Sequence, residues 1–158
     1  MRKTDTLVIH CTDSAWGEIE EVRRWHKLRG FDDIGYHYLI CSSFPFYKNL
    51  KDNRPDPLFD GKIQKGRRED VPGAHAAGYN SRSVGVGLVG ISRFTSAQFE
   101  SLKVLIGALM KKYRLSIDDI YGHYELDRSK TCPNFGMDGF RREMSEYDRK
   151  TVLNDARR

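Results

Sequence analysis

The sequence predicts an α/β fold: a single domain with a central mixed β-sheet flanked by α-helices. It covers residues 1–158, with a core from about 5 to 145 and a charged C-terminal tail. Three observations predict this. Short β-branched or aromatic runs alternate with stretches of helical periodicity, as they do when helices cover a sheet. A chain of 158 residues has the length of one domain and can bury a real core. With 39% hydrophobic and 31% charged residues, the composition is that of a globular chain rather than a disordered one.

The elements follow in order. "DTLVIHCT" (5–12) reads as a buried strand that ends at polar residues. "GEIEEVRRWHKLRG" (17–30) reads as a helix on which Ile19, Val22, Trp25 and Leu28 recur every three residues. Acidic residues lead it, basic residues trail it, and Gly30 stops it. "IGYHYLICS" (34–42) is a second strand. Residues 44–69 carry Pro45, Pro55 and Pro57 among Lys and Asp and include the turn "FDGKI", so a long loop followed by an irregular hairpin is expected. "SVGVGLVGI" (83–91) is a third strand, whose glycines imply close approach of another backbone or a ligand. The strongest helix is "TSAQFESLKVLIGALMKKYRL" (95–115), capped by Thr95 or Ser96. Its apolar stripe is Phe99, Leu102, Ile106, Leu109 and Met110. A last short helix is expected after Asp138, with a frayed tail beyond Tyr147.

The net charge of +5 favours an anionic partner without choosing among nucleic acid, acidic lipid and cell-wall polymer. No apolar run approaches the roughly 20 residues of a membrane span, so no stable membrane insertion is expected. The N-terminal patch "TLVIHC" is too short for a signal-peptide core, and a cytoplasmic location in the producing cell is expected. Cys11, Cys41 and Cys132 are odd in number and widely spaced, which argues for reduced thiols rather than a disulfide framework.

Five histidines are present, at 10, 26, 37, 75 and 123. His10 stands at the end of the first strand, and His123 and Cys132 follow the long helix. Zinc accepts imidazole and thiolate together, and a catalytic zinc takes three protein ligands and keeps one position open. His10, His123 and Cys132 would supply that set. The H-x8-C spacing is shared with ordinary loops and does not by itself separate the two. Pro133 fixes the chain just after Cys132, and Lys130 stands two residues before it, where an ammonium suits a developing oxyanion.

These motifs together resemble a known family. "HC" at 10–11, "EVRRWHKLRGFDDIGYHYLI", "HAAGYNSRSVGVGLVG" and "GHYELDRSKTCPNF" are similar, in this order, to the type-2 N-acetylmuramoyl-L-alanine amidases. The resemblance covers roughly residues 5–145. It is nearest to the phage lysozyme-type endolysins, which share the peptidoglycan recognition protein fold. It implies one zinc per chain, held by His10, His123 and Cys132. It implies Tyr36 beside the zinc and Lys130 as the catalytic lysine, with His75 and Asn80 lining the substrate cleft. The substrate implied is bacterial peptidoglycan, hydrolysed at the amide between N-acetylmuramic acid and L-alanine by a phage or prophage endolysin released through a holin. A monomer is expected. Cys11, Cys41, His26 and His37 then read as structural groups. Residues 43–67 are longer than the short hairpin usual in the family.

Two other readings are open to the residues. A non-catalytic peptidoglycan-binding module has the same fold but typically lacks the cysteine or aspartate ligand. A nucleic-acid-binding protein would account for the basic clusters "KGRRED" and "FRREM". These are interleaved with acids and accompany no recognised nucleic-acid motif, so no nucleic acid is expected.

Overall fold

The computed structural model describes residues 2–157. Its centre is a five-stranded sheet of order β3-β2-β4-β1-β5. The strands are β1 (Thr6–Cys11), β2 (Tyr38–Ile40), β3 (Ile63–Lys65), β4 (Ser83–Leu88) and β5 (Ile120–Gly122). β1 runs parallel to β4 and β5, and β2 runs parallel to β4; only the edge strand β3 is antiparallel, to β2. The sheet is therefore mixed, as the alternation of elements predicts.

Both faces of the sheet are covered, so its central strands β1 and β4 are buried along their whole length. On one face Leu7, Ile9, Val84, Val86, Leu88 and Ile120 pack against α3 (Ser96–Tyr113) and α5 (Met137–Asp155). On the other, Leu39 and Tyr36 pack with Ile19 and Val22 of α1 (Ile19–Leu28). Helix α3 is capped by Thr95, whose hydroxyl accepts the Gln98 N–H at 3.1 Å while Gln98 Oε1 accepts the Thr95 N–H at 3.0 Å. This capping box satisfies two otherwise orphaned donors of the first turn. The buried Gln98 amide also donates to Val89 O at 2.8 Å, tying the helix start to the end of β4.

Several expectations are corrected. Leu28 is 74% exposed, and His26 takes the buried position next to Val22. At 100° per residue Leu28 lies far round the helix from Val22, whereas His26 lies one turn above it. The second strand is only three residues long. Residues 44–69 hold a short helix, α2 (Tyr47–Lys51), before β3 closes the antiparallel edge. In the expected turn, Gly61 has φ +77, and a Cβ there would stand 2.7 Å from Ala97 O. β5 and the one-turn helix α4 (His123–Leu126) are elements the pattern analysis does not predict. α5 begins before Asp138 and continues through the expected tail to Asp155. Its buried residues Met137, Phe140 and Met144 hold it against α3, and Lys111 reaches Asp155 at 3.8 Å. All three cysteines carry free thiols. Among the described residues no helix is long and apolar enough to cross a membrane.

His26 and His37 are scaffold groups, as expected. His26 Nδ1 accepts the Gly35 N–H at 2.8 Å, and His37 Nδ1 accepts the Gly85 N–H at 3.0 Å. Burial pushes each ring down to about 4. An unfolded histidine titrates near ~6.5, so the fold holds these rings below their unfolded value. The stability they contribute is fully present above pH ~6.5 and is lost as pH falls toward 4. Thermal melts should therefore decline across that window. His26→Asn, whose amide oxygen can take the Gly35 N–H without a titrating ring, should show a shallower decline; an unchanged slope would contradict this account.

Candidate metal centre

The carboxyl ends of the parallel strands share one edge of the sheet, the usual place for a site in such folds. His10 is the penultimate residue of β1, and its register partner on β4 is Gly87. On the other side Ile9 pairs with Gly122 of β5. The next residue of each chain is a histidine, so His10 and His123 stand side by side, with ring centroids 4.5 Å apart.

His123 opens α4. Glu125 accepts the Gly122 N–H at 2.8 Å, and Arg141 of α5 holds Glu125 at 2.6 Å while donating to Ile120 O. This clamp fixes the turn that carries the imidazole. The chain then loops through Asp127, whose carboxylate accepts from Ser129 N at 2.9 Å and Ser129 Oγ at 2.7 Å, and Lys130 N donates to Asp127 O at 3.0 Å. The loop returns so that Tyr124 N donates to Cys132 O at 3.0 Å. That bond brings the thiol back to the histidines. Cys132 Sγ lies 3.4 Å from His123 Nδ1 and 3.8 Å from His10 Nδ1. The ligand atoms of His10, His123 and Cys132 all lie within 4.8 Å of one another, a grouping able to hold a metal ion.

The electrostatics favour a thiolate at Cys132. Neighbouring Cys11, and then the His10 and His123 rings, favour the thiolate of Cys132 and hold it far below an ordinary thiol against the penalty of burial. Cys11 is pushed up correspondingly, by the nearness of Cys132 and by its own burial. Burial lowers His10 and His75 and keeps both rings neutral. Tyr36 is buried with its ring 5.2 Å from that of His10, and its hydroxyl reaches Cys11 O at 3.4 Å. Burial, reinforced by Cys132 and Cys11, pushes the phenol above its ordinary value, leaving it a hydrogen-bond donor.

An open cleft of about 750 Å³ leads to the group, and its walls include Tyr36, His75, Asn80 and Lys130. Every candidate site residue named from the sequence therefore borders one cavity. Their attitudes differ. Lys130 is exposed at the rim. His75 is only 8% exposed and turns inward, with Nδ1 2.9 Å from His10 Nε2 and Nε2 3.2 Å from Ser83 Oγ. Asn80 Oδ1 accepts the N–H groups of His75 and Ala76 at 2.8 and 2.9 Å.

The glycines of β4 explain how these rings fit. A Cβ on Gly85 would stand 2.6 Å from the His75 ring, and one on Gly87 would stand 2.8 Å from the Tyr36 ring. What approaches the strand is therefore two side chains of the site, not a backbone. Ser83 and Cys11 are members that sequence reasoning missed. The period-two glycines at 85 and 87 were the available signal for a crowded strand face.

The chain is similar to several known proteins. The family model for N-acetylmuramoyl-L-alanine amidase matches residues 1–135. The chain is 33% identical over 145 residues to the endolysin of Escherichia phage T7, covering 85% of this chain and 83% of that one. It is 30% identical to peptidoglycan-recognition protein SC2 of Drosophila melanogaster over 121 residues, 73% of this chain and 56% of the relative. Among solved structures it superposes on the N-acetylmuramoyl-L-alanine amidase LysC from Clostridium intestinale URNW with TM-score 0.75 at 28% identity, covering 91% and 87% of the two chains.

The strand-face argument carries its own check. Gly87→Ala must displace the Tyr36 ring and should cost about 1–3 kcal/mol, the usual penalty of overpacking, read from urea denaturation midpoints. Gly139→Ala on α5, where the nearest atom is 3.9 Å away at the tip of Arg142, should instead stabilise by about 0.5–1 kcal/mol. Equal effects at the two positions would remove the steric explanation.

Proposed function

Because the chain belongs to the N-acetylmuramoyl-L-alanine amidase family, we propose that it is a zinc-dependent hydrolase. Its reaction is hydrolysis of the amide between N-acetylmuramic acid and L-alanine in bacterial peptidoglycan. Its setting is that of a phage or prophage endolysin: a monomer made in the cytoplasm, released through a holin and acting on the wall.

The observation that carries this reading is the spacing of the candidate ligand atoms. A tetrahedral zinc with Zn–N of ~2.0–2.1 Å and Zn–S of ~2.3 Å sets its nitrogen and sulfur ligands about 3.5 Å apart. The two nitrogen–sulfur separations here are 3.4 and 3.8 Å. Two imidazole nitrogens and a thiolate form a donor set that zinc accepts, and a catalytic zinc would keep one position free beyond three protein ligands.

When bound, zinc supplies Lewis acidity for activating water and polarising an amide carbonyl. His10, His123 and Cys132 would hold it through two imidazole nitrogens and one thiolate sulfur. Tyr36 offers its hydroxyl proton to the reacting carbonyl or to the attacking water, from a ring immobilised over Gly87. Lys130 brings a positive charge to the rim, where it stabilises the oxyanion as the carbonyl carbon becomes tetrahedral. The +5 net charge of the chain favours approach to an anionic wall.

Two experiments test this. Mass spectrometry of muropeptides after digestion of purified walls should find free stem peptides beginning with L-alanine. Cleaved glycan chains would refute the amidase, and intact, merely bound walls would favour a peptidoglycan-binding module. Metal analysis should find about one zinc per chain, absent in Cys132→Ala together with the activity. Lys130→Ala should retain the zinc yet lose about 10²–10³ in kcat, the range for removing one oxyanion stabiliser; loss of metal in that variant would show its role to be different.

A further inference from the structure

We propose that His75 is a positioning residue of the metal centre. Its Nδ1 accepts the Nε2–H of His10, and so fixes the tautomer and ring orientation that turn His10 Nδ1 toward Cys132 and His123. The inference rests on the reading of His10, His123 and Cys132 as zinc ligands, and it gives His75 a task other than touching substrate.

The proton assignment follows from the geometry. His10 faces Cys132 with Nδ1 and His75 with Nε2, the latter at 2.9 Å. Two imidazole nitrogens at that distance share one proton. A His10 that binds through Nδ1 uses the lone pair there, so its proton sits on Nε2 and His10 is the donor. His75 Nδ1 is then the acceptor, and the His75 proton sits on Nε2. That nitrogen lies 3.2 Å from Ser83 Oγ, and a serine hydroxyl has lone pairs to accept it. The chain His10, His75, Ser83 therefore has one consistent set of donors and acceptors. Outer partners of this kind orient a metal-binding histidine and raise its basicity.

The fold holds the His75 ring where this bond requires it. A Cβ on Gly73 would stand 2.4 Å from the ring and one on Gly85 2.6 Å, so both neighbours are reduced to backbone. The His37 ring lies edge-on at 5.7 Å. Asn80 accepts both backbone N–H groups at the start of the loop and fixes where the side chain departs. Both ring nitrogens are engaged inside the protein, and neither is free for a ligand in the cleft.

The test is zinc affinity, measured by chelator competition on the full chain. Wild type should bind one zinc. His75→Phe, which keeps a ring but no acceptor, should bind it about 10- to 100-fold more weakly, the usual cost of losing an outer partner. His75→Asn, whose Oδ1 can stand in for Nδ1, should recover most of that loss. A His75→Phe that holds zinc as tightly as wild type while its KM rises would overturn the proposal in favour of substrate contact. A wild type that takes up no zinc would overturn the ligand reading itself, a result distinct from a defect confined to the variants. Nitrogen-15 NMR of zinc-loaded wild type reads the tautomer without mutation. His75 should carry its proton on Nε2, and a proton on Nδ1 would sink the proposal even if His75→Phe does not fold.

Discussion

The parallel register of β1 against β5 is the constraint on which the rest of the site depends. Pairing Ile9 with Gly122 leaves His10 and His123 as the next residues, one near the end of β1 and one just past the end of β5. Two imidazoles then meet at one edge of the sheet without help from any long loop. A slip of one residue would send one ring to the opposite face, because side chains alternate along a strand. The contacts of His123's turn serve that register: Arg141 grips both Ile120 O and the Glu125 carboxylate from the far helix. Only Cys132 needs a loop to deliver it, and one backbone bond, Tyr124 N to Cys132 O, closes that loop.

On its other side β1 meets β4, where side chains have been removed rather than added. Gly85 and Gly87 weaken a strand by their conformational freedom. In exchange the sheet surface gains two recesses, one under His75 and one under Tyr36. The same strand keeps Val84, Val86 and Leu88 on its opposite face, packed against α3. The alternation of strand geometry thus lets six residues serve as hydrophobic core on one side and as the floor of a polar site on the other.

Much of this was legible before any coordinates. α1 and α3 follow from their apolar periods and caps, and β1 and β4 from their β-branched runs. His10, His123, Cys132, Tyr36 and Lys130 come from motifs that recur in order. β5 was not legible, because "IYG" is too short to show a period and becomes a strand only by pairing with β1. The length of α5 was hidden by its charged second half, whose Val152 and Leu153 are exposed and show no stripe. Leu28 misled because a three-residue recurrence drifts off a helical face after two turns. The inward turn of His75 depends on Ser83, Gly73 and Gly85, and no local pattern announces a bond between side chains 65 residues apart.

The wide separation of the grouped residues bears on how the molecule assembles. His10 and Cys132 are 122 positions apart, yet their side chains meet. Closing so long a loop costs entropy that only the finished sheet repays. No fragment lacking either end can present the three donors together, and a chain emerging from the ribosome must complete β5 before the cluster exists. Maturation of the centre is therefore tied to the last stage of folding, and an ion bridging the three side chains would lock the first strand to the final third of the chain.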